Sequence, residues 1–481
     1  MKSEIWLLEM DEQQSKSRLA SWIEERHQDI FSMRNLWAFW GPTLSLIAYQ
    51  LAIGLPFVIC GVMIGILGDS FSLGVFGLAN TFINMIFNSI LNGLTENLGV
   101  HCSQLYSAKK YEKMGSYFWK GLVSICCLTA AFIVSTFYSY NILTAIDVQD
   151  NVAYSTSLLL KASIPYLFLQ AINSLLVSYL ASQSLTEPLV YINTLSIVVV
   201  FFSAKLFILD WKMKEIGFAY TKLIQEVVNF FCYAFLLIKM ADRNTLIKPS
   251  FALMVKGLWN YIKGLSMTVL SFYGEFIGFE VNTYFAALLH DISELALWCT
   301  LINFSGIVFF VSVGFSNAFR TFLGNMIGQR KFLKARTLSQ HYLVYLGLFS
   351  MLTVILLLVF RYQIGYIYTG DLILSRRMAD ILVVYCLNVF PTLAFYSIAS
   401  IYRLLGQDAF LFQMATIVYP IMVVSSSFLF CFPLHLKVYG INLGFSLSKL
   451  AIVMYMIYRL YRKVDWKAVP IPESMQQLPI H

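Results

Sequence analysis

The stretch Gly93-Leu-Thr-Glu-Asn-Leu-Gly-Val-His-Cys-Ser-Gln104-Leu-Tyr-Ser-Ala-Lys109-Lys110-Tyr111-Glu-Lys113 returns in altered form 221 residues later. There it reads Gly314-Phe-Ser-Asn-Ala-Phe-Arg-Thr-Phe-Leu-Gly-Asn325-Met-Ile-Gly-Gln-Arg330-Lys331-Phe332-Leu-Lys334. Glycine stands over glycine, amide over amide, and two basic residues then an aromatic over the same. Each copy closes a long apolar run and enters a basic one. Gly217 and Gly440, at an offset of 223, open the last apolar run of each half. The chain therefore reads as two copies of one unit.

The unit is made of apolar runs. Of 481 residues, 58% are apolar, 16% aromatic and 12% charged, where a soluble domain carries about 25% charge. So few charges do not cover a soluble surface of this size. A cytosolic enzyme, a disordered chain and a basic nucleic-acid binder are excluded. A helix crossing the hydrocarbon core needs about 20 apolar residues. Twelve candidates lie near 36–67, 71–94, 121–146, 155–180, 188–209, 216–238, 264–289, 295–319, 337–360, 379–402, 409–436 and 438–458. Pro42 and Pro56 predict a kink or tilt in the first.

Charge then sets orientation. With the N-terminus placed in the cytoplasm, that side collects 24 of the 34 Lys and Arg, and the other side 7. The positive-inside rule puts both termini in the cytoplasm. The net charge of +8 is thus mostly topology, and no nucleic-acid partner is expected. The polar N-terminal segment has no apolar core of a cleaved signal. The eight cysteines form no CxxC pair and no His cluster stands near them, so neither a metal site nor a cofactor is expected.

The expected fold is all-α and polytopic: twelve transmembrane helices in two parallel six-helix bundles with a central cleft. The expected parts are a cytoplasmic N-terminal segment (1–35), the first bundle (36–238), a cytoplasmic linker (239–263), the second bundle (264–458) and a cytoplasmic tail (459–481). Parallel repeats are related by an axis along the membrane normal, with the substrate path between them.

These residues resemble the multidrug and toxic compound extrusion (MATE) family, particularly its eukaryotic branch. Ser103-Gln104-Leu105-Tyr106 with Lys109-Lys110-Tyr111 is similar to its stretch after the second helix. Gly314, Gly324-Asn325 and Gly328 resemble the counterpart after the eighth. Ile164-Pro165, Gln183…Pro188 and Gly65-Ile-Leu-Gly68 resemble its fourth helix, the 4–5 loop and the end of its first helix. The likeness runs from about residue 36 to 458. Three positions depart from it: Gly99 and Thr392 stand where many members carry an acid, and Met326 replaces a Glu.

Ionisable groups inside lipid are costly, so those present point to function. Glu275 and Glu280 lie inside the seventh segment, Glu275 near its midpoint. A carboxyl at such depth can hold a proton and release it when a cation arrives. The run Gly274-Glu275-Phe276-Ile277-Gly278-Phe279-Glu280 also resembles the eukaryotic MATE pattern Glu-aromatic-x-x-aromatic-Glu, which implies proton and substrate coupling at both acids. Five residues turn an ideal helix about 140° and rise about 7.5 Å, so the two acids need not share a face. Glu275 is read as the more central group and Glu280 as one deeper in its half-bundle.

For the substrate cleft, the resemblance offers Gln50 in the first helix and Asn84 in the second. Asn88 and Asn92 follow at helical spacing and share the Asn84 face. Lys222 and Glu226 are spaced to pair, and Lys449 is the repeat-equivalent of Glu226 with opposite charge. Both read as self-satisfied or snorkelling residues on outer helices. Glu96 and His101 read as interface residues.

No HExxH, GxSxG or P-loop pattern appears, and the histidines are scattered, so an enzyme is not expected. The reading is an antiporter that exports organic cations or related xenobiotics in exchange for protons, with Na⁺ as the less favoured coupling ion, working as a monomer in a plasma or vacuolar membrane. The alternative is a lipid-linked oligosaccharide or other amphiphile flippase of the same superfamily. A cavity rich in Arg and Lys is expected of a flippase, and the first four segments contain little of either.

Overall fold

The computed structural model describes residues 33–67, 69–107, 109–183, 185–245, 258–328, 332–464 and 466, and its elements are all helices. The N-terminal segment to residue 32, most of the linker, Arg330 and Lys331 of the repeat, and the tail beyond residue 466 lie outside the described residues.

The helices are α1 (Met33–Ile66), α2 (Ser70–Ile83, a π turn over Asn84–Asn88, then Ser89–Ser107), α3 (Tyr111–Phe137), α4 (Asp150–Ser182), α5 (Thr186–Ala204 with a π turn over Lys205–Asp210) and α6 (Lys214–Met240). The second half repeats the order as α7 (Leu258–Ala287), α8 (Ile292–Gly328), α9 (Phe332–Tyr368), α10 (Leu372–Leu404), α11 (Asp408–Gln413, a π turn over Met414–Val418, then Tyr419–Cys431) and α12 (Lys437–Arg462). Eleven are long and apolar enough to cross a membrane among the described residues. The twelfth, α7, is 30 residues long. In lipid each backbone polar group must be satisfied internally, and a helix does this alone. The molecule is a polytopic helical membrane protein.

The elements outrun the apolar segments. The expected basic loop after the second segment is almost entirely helix, because α2 runs to Ser107 and α3 starts at Tyr111. Polar residues past the hydrocarbon edge still close backbone bonds, and the turn needs few residues. The expected segment 121–146 is instead two helices, α3 and a short one at Ser139–Ala145. Asp69 starts α2 by accepting from the Phe71 and Ser72 amides at 3.1 and 3.4 Å. Asp371 starts α10 in the same way, at 2.9 Å from the Ile373 amide. Each is an N-cap that satisfies orphan donors.

Burial is inverted relative to a soluble protein. Outward faces are apolar, as with Leu348, Leu352 and Val359 on α9 and Phe231 and Phe235 on α6, all exposed. Aromatics also fill the interior. Phe87 packs on Phe132 in the first half, and Phe319 stacks on Tyr342 at 3.9 Å in the second.

The repeat is visible in how the halves meet. α2 crosses α7 at Gly93, where a Cβ would lie 2.6 Å from the Val269 Cα. α8 crosses α1 at Gly314, where a Cβ would lie 2.6 Å from the Ile47 Cα. Gly217 and Gly440 likewise abut the backbone of Phe207 and of Phe430. The duplicated glycines make duplicated contacts, one set per half.

At one end of the bundle the halves are tied by loop contacts. The Gly370 amide donates to the Gly65 carbonyl at 2.8 Å, Gln149 Nε2 to the His290 carbonyl at 2.6 Å, and His290 Nε2 lies 3.2 Å from Asp147 Oδ2. Towards the other end Arg320 of α8 reaches Glu96 of α2 at 3.7 Å.

Candidate functional site

Three polar clusters sit inside the bundle. The first crosses the seam between the halves. Glu280 on α7 is 2% exposed. Its Oε2 accepts from Thr81 Oγ1 at 2.6 Å and its Oε1 from Asn84 Nδ2 at 2.7 Å, both on α2. Asn84 Oδ1 in turn accepts from Asn88 Nδ2 at 2.7 Å, and Asn88 Oδ1 from Gln170 Nε2 of α4 at 3.3 Å. The chain Glu280–Asn84–Asn88–Gln170 thus links α7, α2 and α4. The π turn spans Asn84–Asn88, with the Ser89 amide bonded to the Asn84 carbonyl. Asn92, one turn further along α2, is exposed and has no hydrogen bond to the chain among the described residues.

The second cluster lies within the second half. Glu275 lies near Tyr396, Lys449 and Arg403 of its own half. Lys449 on α12 is 4% exposed and donates to Thr392 Oγ1 at 3.2 Å. Thr392 donates to Asn388 Oδ1 at 3.2 Å, and its carbonyl accepts from Ser312 at 2.8 Å. Three rings surround the ammonium: Phe445, Tyr396 and Phe395 at 5.3, 5.6 and 5.7 Å. Pro391 stands one residue earlier and lacks the backbone donor that would serve the Leu387 carbonyl.

The third cluster is in the first half. Lys222 and Glu226 pair at 3.6 Å, Lys222 also donates to Gln225 Oε1 at 2.7 Å, and Asn173 of α4 donates to Glu226 at 2.8 Å.

The sequence reading placed the two acids the wrong way round. Glu280 faces the opposite half, and Glu275 turns into its own half, as a rotation of about 140° between them requires. Glu226 and Lys449 are buried rather than snorkelling, since each meets partners on neighbouring helices. Gln50 lies half-buried on α1 and takes no part in the Glu280 chain. His101 packs its ring on Tyr117 at 5.5 Å. Reasoning from charge overlooked Thr81, Gln170, Asn173, Asn388 and Tyr396, and named Thr392 only as a departure from the family. The available signal was an amide or hydroxyl inside an apolar run, and Gln170, Asn173 and Asn388 each give it. A surface hollow of about 420 Å³ between α5 and α6 is lined by apolar side chains such as Tyr191, Ile192 and Phe231 and by no residue of the three clusters.

The family model MatE matches the chain twice, over residues 46–204 and 268–434. The chain belongs to the MatE family. The two matched blocks fall one in each half, which agrees with the repeat. Among curated MATE relatives, Protein DETOXIFICATION 37 of Arabidopsis thaliana is 27% identical over 65% of this chain and 62% of its own length. The chain therefore spans under two thirds of that relative. Multidrug and toxin extrusion protein 1 of Homo sapiens is 25% identical over 78% of this chain and 64% of its own length. Among solved structures, the eukaryotic MATE transporter AtDTX14 superposes with a TM-score of 0.73 at 19% identity, covering 90% of this chain and 96% of that one. An inward-facing MATE transporter superposes at 0.75 with 14% identity, over 87% of this chain and 100% of that one. The helical architecture is that of the MATE transporters of known structure.

Proposed function

We propose that this MATE protein exports organic cations or related amphiphiles in exchange for protons, by alternating access between lobes 36–238 and 264–458. The observation that carries the reading is Glu280: a buried carboxylate on one lobe whose two oxygens are bonded by Thr81 and Asn84 of the other. If the lobes separate at this seam, both bonds are lost. A carboxylate left without partners in a low-dielectric interior must take up a proton or a cation. Proton and cargo then compete for the same small group of acids, and the exchange is coupled to lobe movement.

Glu275 is the second member. It sits one and a half turns from Glu280 on the same helix, so a movement of α7 displaces both. In the outward state Glu275 is protonated, and its proton competes with cargo. Gln50, Asn84 and Asn88 contribute polar lining on the first lobe. Charge asymmetry supports both termini in the cytoplasm, of a plasma or vacuolar membrane. The loop contacts at Gly65, Asp147, Gln149, His290 and Gly370 then close the non-cytoplasmic face. The names of the relatives, as extruders, favour an exporter over a lipid-linked oligosaccharide flippase.

The test is uptake of a fluorescent organic cation into proteoliposomes under an imposed pH gradient. Uptake by the native chain and its loss in Glu280→Gln support the reading. Uptake driven only by a Na⁺ gradient, or movement of labelled lipid-linked sugar in place of the cation, contradicts it.

A further inference from the structure

The end of the second lobe at which α10 and α12 finish gathers cations without acids. Arg459 of α12 lays its guanidinium over the Phe410 ring of α11 at 3.5 Å, with the Tyr402 ring of α10 at 5.8 Å. Its Nη1 is buried and has no hydrogen-bond partner among the described residues. A ring face offsets charge but accepts no ordinary hydrogen bond, and an unmet buried donor is costly. Arg462 and Lys463 follow at helical spacings of three and four, so they share the Arg459 face, and both are exposed. Arg336 of α9 donates to the Tyr461 carbonyl at 3.0 Å, which brings it beside Arg462. Arg403, also exposed, follows Tyr402 on α10. None of these cations forms an ion pair with a carboxylate among the described residues. The carbonyl end of a helix attracts cations, but here those acceptors are in use. The Arg459 carbonyl takes the Lys463 and Val464 amides at 2.9 and 3.2 Å, and the Tyr461 carbonyl takes Arg336. Beside the cluster, Tyr455 and Tyr458 of α12 stand exposed.

We propose that this face is a docking site for an acidic phospholipid, whose phosphate is held by Arg459 and Arg462 while its acyl chains lie along Tyr455 and Tyr458. A guanidinium fork matches phosphate oxygens two at a time, and an anionic oxygen at Arg459 Nη1 supplies the acceptor that the chain does not. The same anion relieves the repulsion among Arg403, Arg459 and Arg462. A lipid is favoured over a free phosphate because the cations border exposed tyrosines, a residue enriched where hydrocarbon meets water. The site belongs to one lobe. At the offset of 223 the first lobe carries Leu236, Lys239 and Met240 in place of Arg459, Arg462 and Lys463. A lipid bound here fastens α10, α11 and α12 at the end of the bundle that the charge asymmetry places in the cytoplasm, and it stands apart from the acids of α7.

The test places the full chain in nanodiscs of equal parts phosphatidylglycerol and phosphatidylcholine, and native mass spectrometry counts the lipid it retains on release. The native chain is expected to keep phosphatidylglycerol over phosphatidylcholine by about tenfold, as for one charge-assisted hydrogen bond. Arg459→Gln and Arg462→Gln each lower that ratio, and the double variant brings it close to one. Arg361→Gln, an exposed arginine near the other end of α9, leaves it unchanged. Equal retention of the two lipids by the native chain overturns the proposal, and so does an unchanged ratio in the double variant. A fall in Arg361→Gln as large as that in Arg462→Gln overturns it too, because the preference then follows total charge. If Arg459→Gln does not fold, the exposed Arg462 decides through Arg462→Gln. Inorganic phosphate is the last probe. If it raises the melting temperature of the native chain in neutral detergent as much as phosphatidylglycerol does, the cluster is a free-anion site and the lipid reading fails.

Discussion

Glu280 is an acceptor in both of its bonds, so its role can be separated from its packing. Glu280→Gln keeps the shape and one acceptor oxygen but carries neither charge nor exchangeable carboxyl proton. Cation uptake driven by a pH gradient is expected to fall to about a tenth or less, while the elution profile in detergent stays native. Thr81→Val removes one bond to a charged acceptor, worth about 1.5–3 kcal/mol, and is expected to lower the melting temperature. At the membrane edge, Asp69 shows how a carboxylate is held in its charged form. Burial acts to raise its pKa, but the Lys214 ammonium at 2.7 Å and the Ser72 hydroxyl and amide outweigh it, and the net effect is a lowered pKa. A lowered folded-state pKa contributes stability that is full above the unfolded value, near 3.9, and is lost as pH falls through the folded value. Thermal unfolding from pH 7 to 3 is expected to show this loss, and Asp69→Asn to flatten it. An unchanged acid limb in Asp69→Asn contradicts the assignment.

Among elements, α2 and α8 carry the crossings. Gly93 and Gly314 leave no room for a side chain where each meets backbone of the other half. Gly93→Leu and Gly314→Leu are expected to cost about 1–3 kcal/mol each through overpacking, read as a lowered melting temperature. A tolerated substitution at either position contradicts the close crossing there. Both glycines are legible in the sequence, because the repeat aligns them. The π turn at Asn84–Asn88 was not legible, since nothing in Asn-Met-Ile-Phe-Asn distinguishes a hydrogen bond spanning five residues from the four-residue bond of an ordinary helix. Asn84 and Asn88, at its two ends, join one hydrogen-bonded chain. The relative facing of Glu275 and Glu280 was legible as an angle but not as a direction. Helical spacing says how far two side chains diverge, and only the neighbouring helices say which one looks across the seam.

For the molecule as a whole, composition and the positions of charge determined the class, and the offset of 221 determined the two halves. Neither showed that the halves are tied at one end by the Asp147, Gln149 and His290 loops, because contacts between loops far apart in sequence leave no periodic trace. If alternating access opens that end, a bond across it stops transport. A disulfide between Asp147→Cys and His290→Cys is expected to abolish uptake, and a reductant to restore it. Undiminished uptake with the bridge formed contradicts opening at that end. The central claim is that protons and cations compete at the carboxylates of α7, and Glu275 tests it most directly. The decisive measurement is the initial rate of fluorescent-cation uptake into proteoliposomes, as a function of an imposed pH gradient, for the native chain and Glu275→Gln. The account predicts a rate that rises with the gradient in the native chain and is small and insensitive to it in the variant. An equal rate with the same pH dependence in Glu275→Gln would contradict it.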